Sequence, residues 1–224
     1  MAELPLALPL LSVNVGLPTV IGEAQGMLVV SAIRKTPVRA DSIHLTETNL
    51  AGDRQADLSV HGGPDKAVYA YSALHWPAWR AEHGLVAQAG SFGENLTLDG
   101  ADEDEIRIGD VFAWGEARLA VSQPRQPCFK LAMMLGRADI GAAMVRSGRC
   151  GFYLRVLRGG EVPLKDVRLT RLETRAEAPS VRALFEALYD PKAPPDRLAG
   201  FAATPGLAAD WVHAFETRAA ARRK

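Results

Sequence analysis

Short apolar runs punctuated by turn-forming residues fill most of the chain, and a helical period replaces them near its end. Residues 27–33, apolar and partly β-branched between Gly26 and the turn Lys35-Thr36-Pro37, predict a buried strand. Residues 42–46 and 67–71 predict two more, the second leaving the loop His61-Gly62-Gly63-Pro64-Asp65. Ser72 can cap a helix carrying Leu74, Trp76 and Trp79, with Pro77 disturbing its first turn. Residues 96–98, 106–108, 111–114 and 117–121 predict short strands separated by Asp-Gly, Gly-Asp and Gly-Glu turns. Such dense spacing points to a β-barrel or sandwich. Residues 139–146 predict a helix, residues 151–157 and those from 162 a hairpin, and residues 167–172 a last strand. Residues 1–11, apolar but broken by prolines, predict a loose start, and the acidic run 102–105 a solvated loop.

The period changes at Ala176. Ser180 can cap a helix to Tyr189 with Val181, Leu184, Phe185 and Leu188 on one stripe, which Pro191, Pro194 and Pro195 stop. Helices over 196–202 and 207–219 follow, the latter with Leu207, Trp211 and Phe215 at helical spacing. Helices this short need a partner surface. The expected organisation is a mainly β (α+β) domain over residues 1–175 and a C-terminal three-helix segment over 176–224.

The 224 residues suit one large domain or one with an appendage, and a hydrophobic fraction of 48% allows a sizeable core. With 26 basic and 26 acidic residues there is no electrostatic reason to expect nucleic acid or an anionic membrane as partner. The two cysteines, Cys128 and Cys150, form neither a CxxC pair nor a disulfide framework. No signal peptide or membrane-spanning run is evident, so the expectation is a cytoplasmic protein.

Candidate chemistry concentrates in Gln123-Pro124-Arg125-Gln126-Pro127-Cys128-Phe129-Lys130. Two prolines stiffen a loop leaving a strand, and the cysteine sits between Arg125 and Lys130 ahead of an apolar run that can be a helix. Nearby cations and a helix N-terminus favour a thiolate. A buried structural cysteine is the competing reading. In the second stretch, His61 to Lys66, paired glycines can turn backbone N–H groups toward an anion, or can simply make a tight turn with a surface histidine. In the third, Asn95 of Phe92-Gly93-Glu94-Asn95 can meet a heterocycle or stabilise a turn. There is no P-loop, GxSxG elbow, HExxH or dinucleotide fingerprint, and the His and Cys spacing does not suit structural zinc.

Taken in order, Gly52-Asp53-Arg54-Gln55-Ala56, Val60 to Asp65, Phe92 to Leu96, Ile108-Gly109-Asp110 and Val121 to Lys130 resemble the MOSC-domain family, in particular its YiiM-type branch. The resemblance implies a MOSC-type β-barrel core with flanking helices and the C-terminal three-helix segment. It also implies the molybdenum cofactor (molybdopterin), with Cys128 as metal ligand and catalytic residue. Lys35, His61, Asn95, Arg125 and Lys130 become candidates for contacting the pterin or its phosphate. Cys150 has no counterpart in the motif.

The activity implied is reduction of N-hydroxylated compounds, such as hydroxylaminopurine-type base analogues, to amines. Electrons would come from a separate reductase, since nothing in the sequence resembles a flavin, haem or iron–sulfur site. A cofactor or sulfur carrier without turnover is the main alternative, and a cofactor-free Cys128 nucleophile with His61 as base is a third. A homodimer is compatible with the resemblance, the C-terminal helices offering a face for it, although they could equally close the monomer's own barrel.

Overall fold

The computed structural model describes residues 6–56 and 62–223. Its strands are β1 (Ala7–Val15), β2 (Thr19–Ala24), β3 (Met27–Ser31), β4 (Thr36–Pro37), β5 (Ser42–Leu45), β6 (Val68–Ser72), β7 (Leu96–Leu98), β8 (Val111–Trp114), β9 (Ala117–Pro124), β10 (Phe152–Arg158), β11 (Gly160–Pro163) and β12 (Arg168–Glu173). Its helices are α1 (Trp76–His83), α2 (Phe129–Leu135), α3 (Ile140–Ser147), α4 (Val181–Tyr189), α5 (Pro195–Ala202) and α6 (Ala209–Arg222). Strands run in the order β12-β8-β9-β10-β6-β7-β1, and β1 pairs back onto β12 to close a seven-stranded barrel. Closure removes the open sheet edges that invite aggregation. The expected barrel with flanking helices is the observed architecture.

The strand that closes the barrel is the one the sequence hides. β1 pairs with both β12 and β7, and Leu8 and Val13 point into the core. Pro9 lies where β1 leaves β12, and the register slips between Leu10 and Ser12, so the proline is accommodated beside an irregularity.

Other expectations change as well. Residues 27–31 do form a strand, but not a buried one: β3 pairs only with β2 in a two-stranded ribbon, and Met27 and Leu28 are 66% and 68% exposed. Residues 106–108 are not a strand; Ile106 and Ile108 are buried in an irregular segment that meets Ser180 at an isolated bridge through Arg107. β11 pairs with β5 and makes no hairpin with β10. The acidic run is not wholly solvated: Glu103 is buried, accepts from the Gly151 N–H at 2.6 Å and meets His75 at 2.8 Å.

α1 follows a one-turn 3-10 segment over Ala73–His75, whose cap is the Ser72 hydroxyl accepting from Leu74 N–H. α4 begins as expected, the Ser180 hydroxyl accepting from Ala183 N–H. Val181, Leu184 and Phe185 of α4 and Trp211 and Phe215 of α6 belong to the same buried cluster as Tyr71, Leu119 and Leu154 of the barrel. The C-terminal helices therefore complete the barrel's core.

Two features of this frame place the site. β6 and β7 are the barrel's parallel pair, so their starts, beside Tyr69 and Asn95, lie at the same end. β9 continues through Gln123 and Pro124, and because Gln123 pairs with Tyr153 and Tyr153 with Tyr69, the loop from Arg125 to Cys128 leaves the strand close to Tyr69. There the Arg125 N–H reaches Gly151 O at 3.2 Å. No helix among the described residues is long and apolar enough to cross a membrane.

Candidate functional site

A solvent-open cleft enclosing about 710 Å³ of atom-free space lies at this end of the barrel. Lys35, Asn95, Arg125, Cys128 and Lys130 all line it. They come from three stretches of the chain, around Lys35, around Asn95 and from Arg125 to Lys130, and the fold is what brings them together. His61 lies outside the described residues. The glycines after it do take the backbone that glycine permits, Gly62 at φ 97° and Gly63 at φ 83°, and Gly62 also lines the cleft.

Asp53 organises one wall. Its Oδ1 accepts from the Lys35 ammonium at 2.5 Å and from Gly16 N–H at 2.7 Å, and its Oδ2 accepts from the Asn95 amide at 2.9 Å. Asn95 also donates to Asn14 O at 3.1 Å and accepts from Tyr69 N–H at 3.1 Å. Both N–H bonds of its carboxamide are thus committed to the scaffold, which leaves one acceptor lone pair for a ligand. Burial lowers the Lys35 ammonium below the ordinary lysine range, with Asp53 and Glu94 opposing that shift.

Glu94, fully buried, stiffens the turn before Asn95. It accepts from Gly90 N–H at 2.8 Å, Phe92 N–H at 2.9 Å and the Thr97 hydroxyl at 2.9 Å. Burial raises its pKa, and these hydrogen bonds only partly offset the effect.

The opposite wall carries the charge. Arg125 is 5% exposed, yet among the described residues no carboxylate lies within ion-pairing distance of it. Its guanidinium sits 5.0 Å from the centre of the Tyr69 ring and approaches Met144 Sδ at 3.8 Å and Cys128 Sγ at 3.9 Å, and Tyr153 lines the same cleft. Burying a cation without a counter-charge costs several kcal/mol, so the position favours an anion arriving from the cleft. Burial raises the Tyr69 and Tyr153 phenols above the ordinary tyrosine range, so both stay protonated at neutral pH.

Cys128 is half-buried at the cap position of α2, Lys130 lies in that helix's first turn, and neither cysteine is in a disulfide. Cys150 is different: it is fully buried, its backbone carbonyl accepts from the Tyr69 phenol at 2.9 Å, and burial pushes its thiol well above the usual range.

Among the described residues no group of three or more His, Cys, Asp or Glu side chains is placed to hold a metal ion. A metal at Cys128 would therefore bring most of its own ligands. A soft sulfur donor beside a buried cation that has no carboxylate partner among the described residues, with Lys35, Arg54 and Lys130 on the same cleft, fits a metal held in an anionic, sulfur-rich organic group.

Asp53, Arg54, Lys66, Tyr69 and Tyr153 also line the cleft, and the sequence motifs that contain Arg54 and Lys66 assign them no site role. Asp53 stands inside a motif that the sequence does show. Nothing in the sequence marks the tyrosines, which meet only because β6 and β10 pair.

Comparison with known proteins identifies the family to which this fold belongs. Residues 57–167 match the MOSC domain, and residues 179–221 match the YiiM-like 3-alpha helix domain. The crystal structure of YiiM from Geobacillus stearothermophilus is 33% identical, superposes with a TM-score of 0.78, and covers 95% of this chain and 99% of its own. Protein YiiM of Escherichia coli (strain K12) is 43% identical over 135 residues, 59% of this chain and 60% of that protein. A protein named reductase from Gibberella moniliformis is 35% identical over 143 residues, which is 62% of this chain and only 25% of that protein. On the fold, the cleft and these matches, the chain belongs to the YiiM-like proteins of the MOSC-domain family.

Proposed function

We propose that this protein is a molybdenum-cofactor-dependent reductase that converts N-hydroxylated compounds to amines. The observation that carries the reading is the buried Arg125, without a carboxylate partner among the described residues, beside Cys128 in the cleft. MOSC-domain membership and the reductase-named relative support it.

Cys128 would ligate the metal as a thiolate. Arg125 and Lys130 would balance the anionic charge of the dithiolene and phosphate, and Lys35, held by Asp53, would add a third cation. Asn95 would act mainly by fixing Asp53 and the start of β6, and its remaining acceptor capacity would be available to the pterin. When bound, the cofactor would supply the two-electron redox chemistry needed to reduce an N–O bond. Overall the N–O bond breaks, the oxygen leaves as water, and two electrons and two protons are consumed. The Tyr153 phenol, which burial keeps protonated and which lines the cleft with Arg125 and Cys128, would be a neutral group able to hold a proton there. A separate reductase delivers the electrons.

The test is turnover of 6-hydroxylaminopurine by protein loaded in a host that makes molybdenum cofactor, with a chemical reductant as electron source. Amine production that disappears in Cys128→Ala supports the reading. Metal-loaded protein that turns over no N-hydroxylated substrate would instead support a carrier.

A further inference from the structure

Glu103 stands in the acidic run, yet its side chain is only 2% exposed, and the chemistry proposed for the cleft does not use it. Its Oε1 accepts from Gly151 N–H at 2.6 Å, and its Oε2 meets His75 Nε2 at 2.8 Å and the Arg182 guanidinium at 3.6 Å. Arg182, in the first turn of α4, also donates its backbone N–H to Glu103 O at 2.9 Å. The carboxylate is thus held by groups from two other parts of the chain.

What Glu103 grips leads to the cleft. The Gly151 N–H and the Cys150 carbonyl belong to one peptide unit, and that carbonyl accepts from the Tyr69 phenol at 2.9 Å. The next carbonyl, Gly151 O, accepts from Arg125 N–H at 3.2 Å. The Arg125 guanidinium in turn lies over the Tyr69 ring, 5.0 Å from its centre. Both supports of Arg125, its backbone N–H and the ring beneath its side chain, therefore rest on the Cys150–Gly151 turn. Gly151 takes φ 68°, and a Cβ there would stand 2.5 Å from Ala70 O and 3.0 Å from the Tyr69 hydroxyl, so the turn lies tight against β6.

We propose that Glu103 is a positioning residue for the cleft: by gripping the Cys150–Gly151 peptide it sets the Tyr69 ring and the Arg125 backbone, and so aims the buried guanidinium at the anion. The inference rests on the reading of Arg125 as the cofactor's cation. A carboxylate on the N–H fixes the plane of the peptide and strengthens its oxygen as an acceptor, because hydrogen bonds in a chain polarise one another. Without that bond the peptide can turn, and the phenol and the Arg125 N–H lose their fixed acceptors together. α4 reaches the cleft by this route, through Arg182.

Reach and charge separate this role from simple charge pairing in the core. Glu103→Gln keeps the reach and an acceptor oxygen for Gly151 N–H. Glu103→Asp keeps the charge but is one methylene short, and Glu103→Ala loses both. The measurement is the proton–nitrogen NMR signal of the Arg125 Nε–H in cofactor-free protein, assigned by its loss in Arg125→Met and placed by the Tyr69 ring current. It should move in Glu103→Asp, move further in Glu103→Ala, and stay near the wild-type position in Glu103→Gln. Protein purified from a cofactor-producing host should lose molybdenum on dialysis about tenfold faster in Glu103→Asp, with Glu103→Gln close to wild type.

If Glu103→Ala does not fold, the Asp and Gln variants decide the outcome. An Arg125 signal at the wild-type position in folded Glu103→Asp would overturn the proposal. So would the reverse order, with Asp like wild type and Gln displaced, because charge pairing alone would then account for Glu103. Wild-type protein without molybdenum would instead defeat the cofactor reading, and the Arg125 signal would still decide the role of Glu103.

Discussion

Asp53 holds three partners from three distant segments: the Lys35 ammonium, the Gly16 N–H and the Asn95 amide. Its side chain is fully buried and that of Lys35 is 9% exposed, so removing one charge strands the other. Asp53→Asn should cost about 3–5 kcal/mol in urea unfolding, and adding Lys35→Met should recover part of the loss. Additive losses in the double variant would show that the two side chains do not act as a pair.

Glu94 allows a test by pH. Its folded pKa is raised above 4.5 by burial, so on acidification the folded state takes up the proton before the unfolded state does. Its contribution to stability therefore rises as pH falls through the folded pKa toward 4.5, and is lowest at neutral pH and above. Glu94→Gln places an N–H against a donor and lacks this titration; it should cost about 1–3 kcal/mol at pH 7, with the gap to wild type widening on acidification. A gap that stays flat or narrows would contradict the assignment.

The Arg125, Cys128 and Lys130 cluster was legible in the sequence because three chemically distinct side chains stand within six positions. The phenols around Arg125 were not, because Tyr69 and Tyr153 meet only through strand pairing. Gln123, a polar residue in an apolar strand, gave no sign that its oxygen would be left without a donor.

At the level of elements, strands bounded by glycine turns were readable, and so were helices with a capping serine. What sequence pattern could not supply was which strands pair. β1 looks irregular because Pro9 and the slip between Leu10 and Ser12 spoil its alternation, yet it closes the barrel. The opposite error came from β3, whose hydrophobic run suggested burial although it pairs only with β2.

The C-terminal helices are tied to the barrel by shared core. Phe185 is fully buried in the cluster that contains Leu119 and Leu154. Phe185→Ala should therefore lower the stability of the whole unit by about 3–5 kcal/mol, seen as one cooperative transition monitored by near-ultraviolet circular dichroism. A chain ending at residue 176 should lose cooperative unfolding. A truncated barrel that melts like the full chain would make the helices an independent appendage.

Over the whole molecule the formal charge is zero, and yet one cleft gathers Lys35, Arg54, Arg125 and Lys130 around a single sulfur. That partition argues for a specific anionic occupant over a general attraction to polyanions. Arg125 anchors it, as a buried guanidinium whose nearest neighbours are phenols and sulfurs. The most direct test of the account is the molybdenum-to-protein ratio of the full chain purified from a cofactor-producing host, in wild type, Cys128→Ala and Arg125→Met. The account predicts stoichiometric molybdenum in wild type, none in Cys128→Ala and a large reduction in Arg125→Met, with both variants folded. Wild-type protein free of molybdenum, or equal molybdenum in wild type and Cys128→Ala, would contradict it.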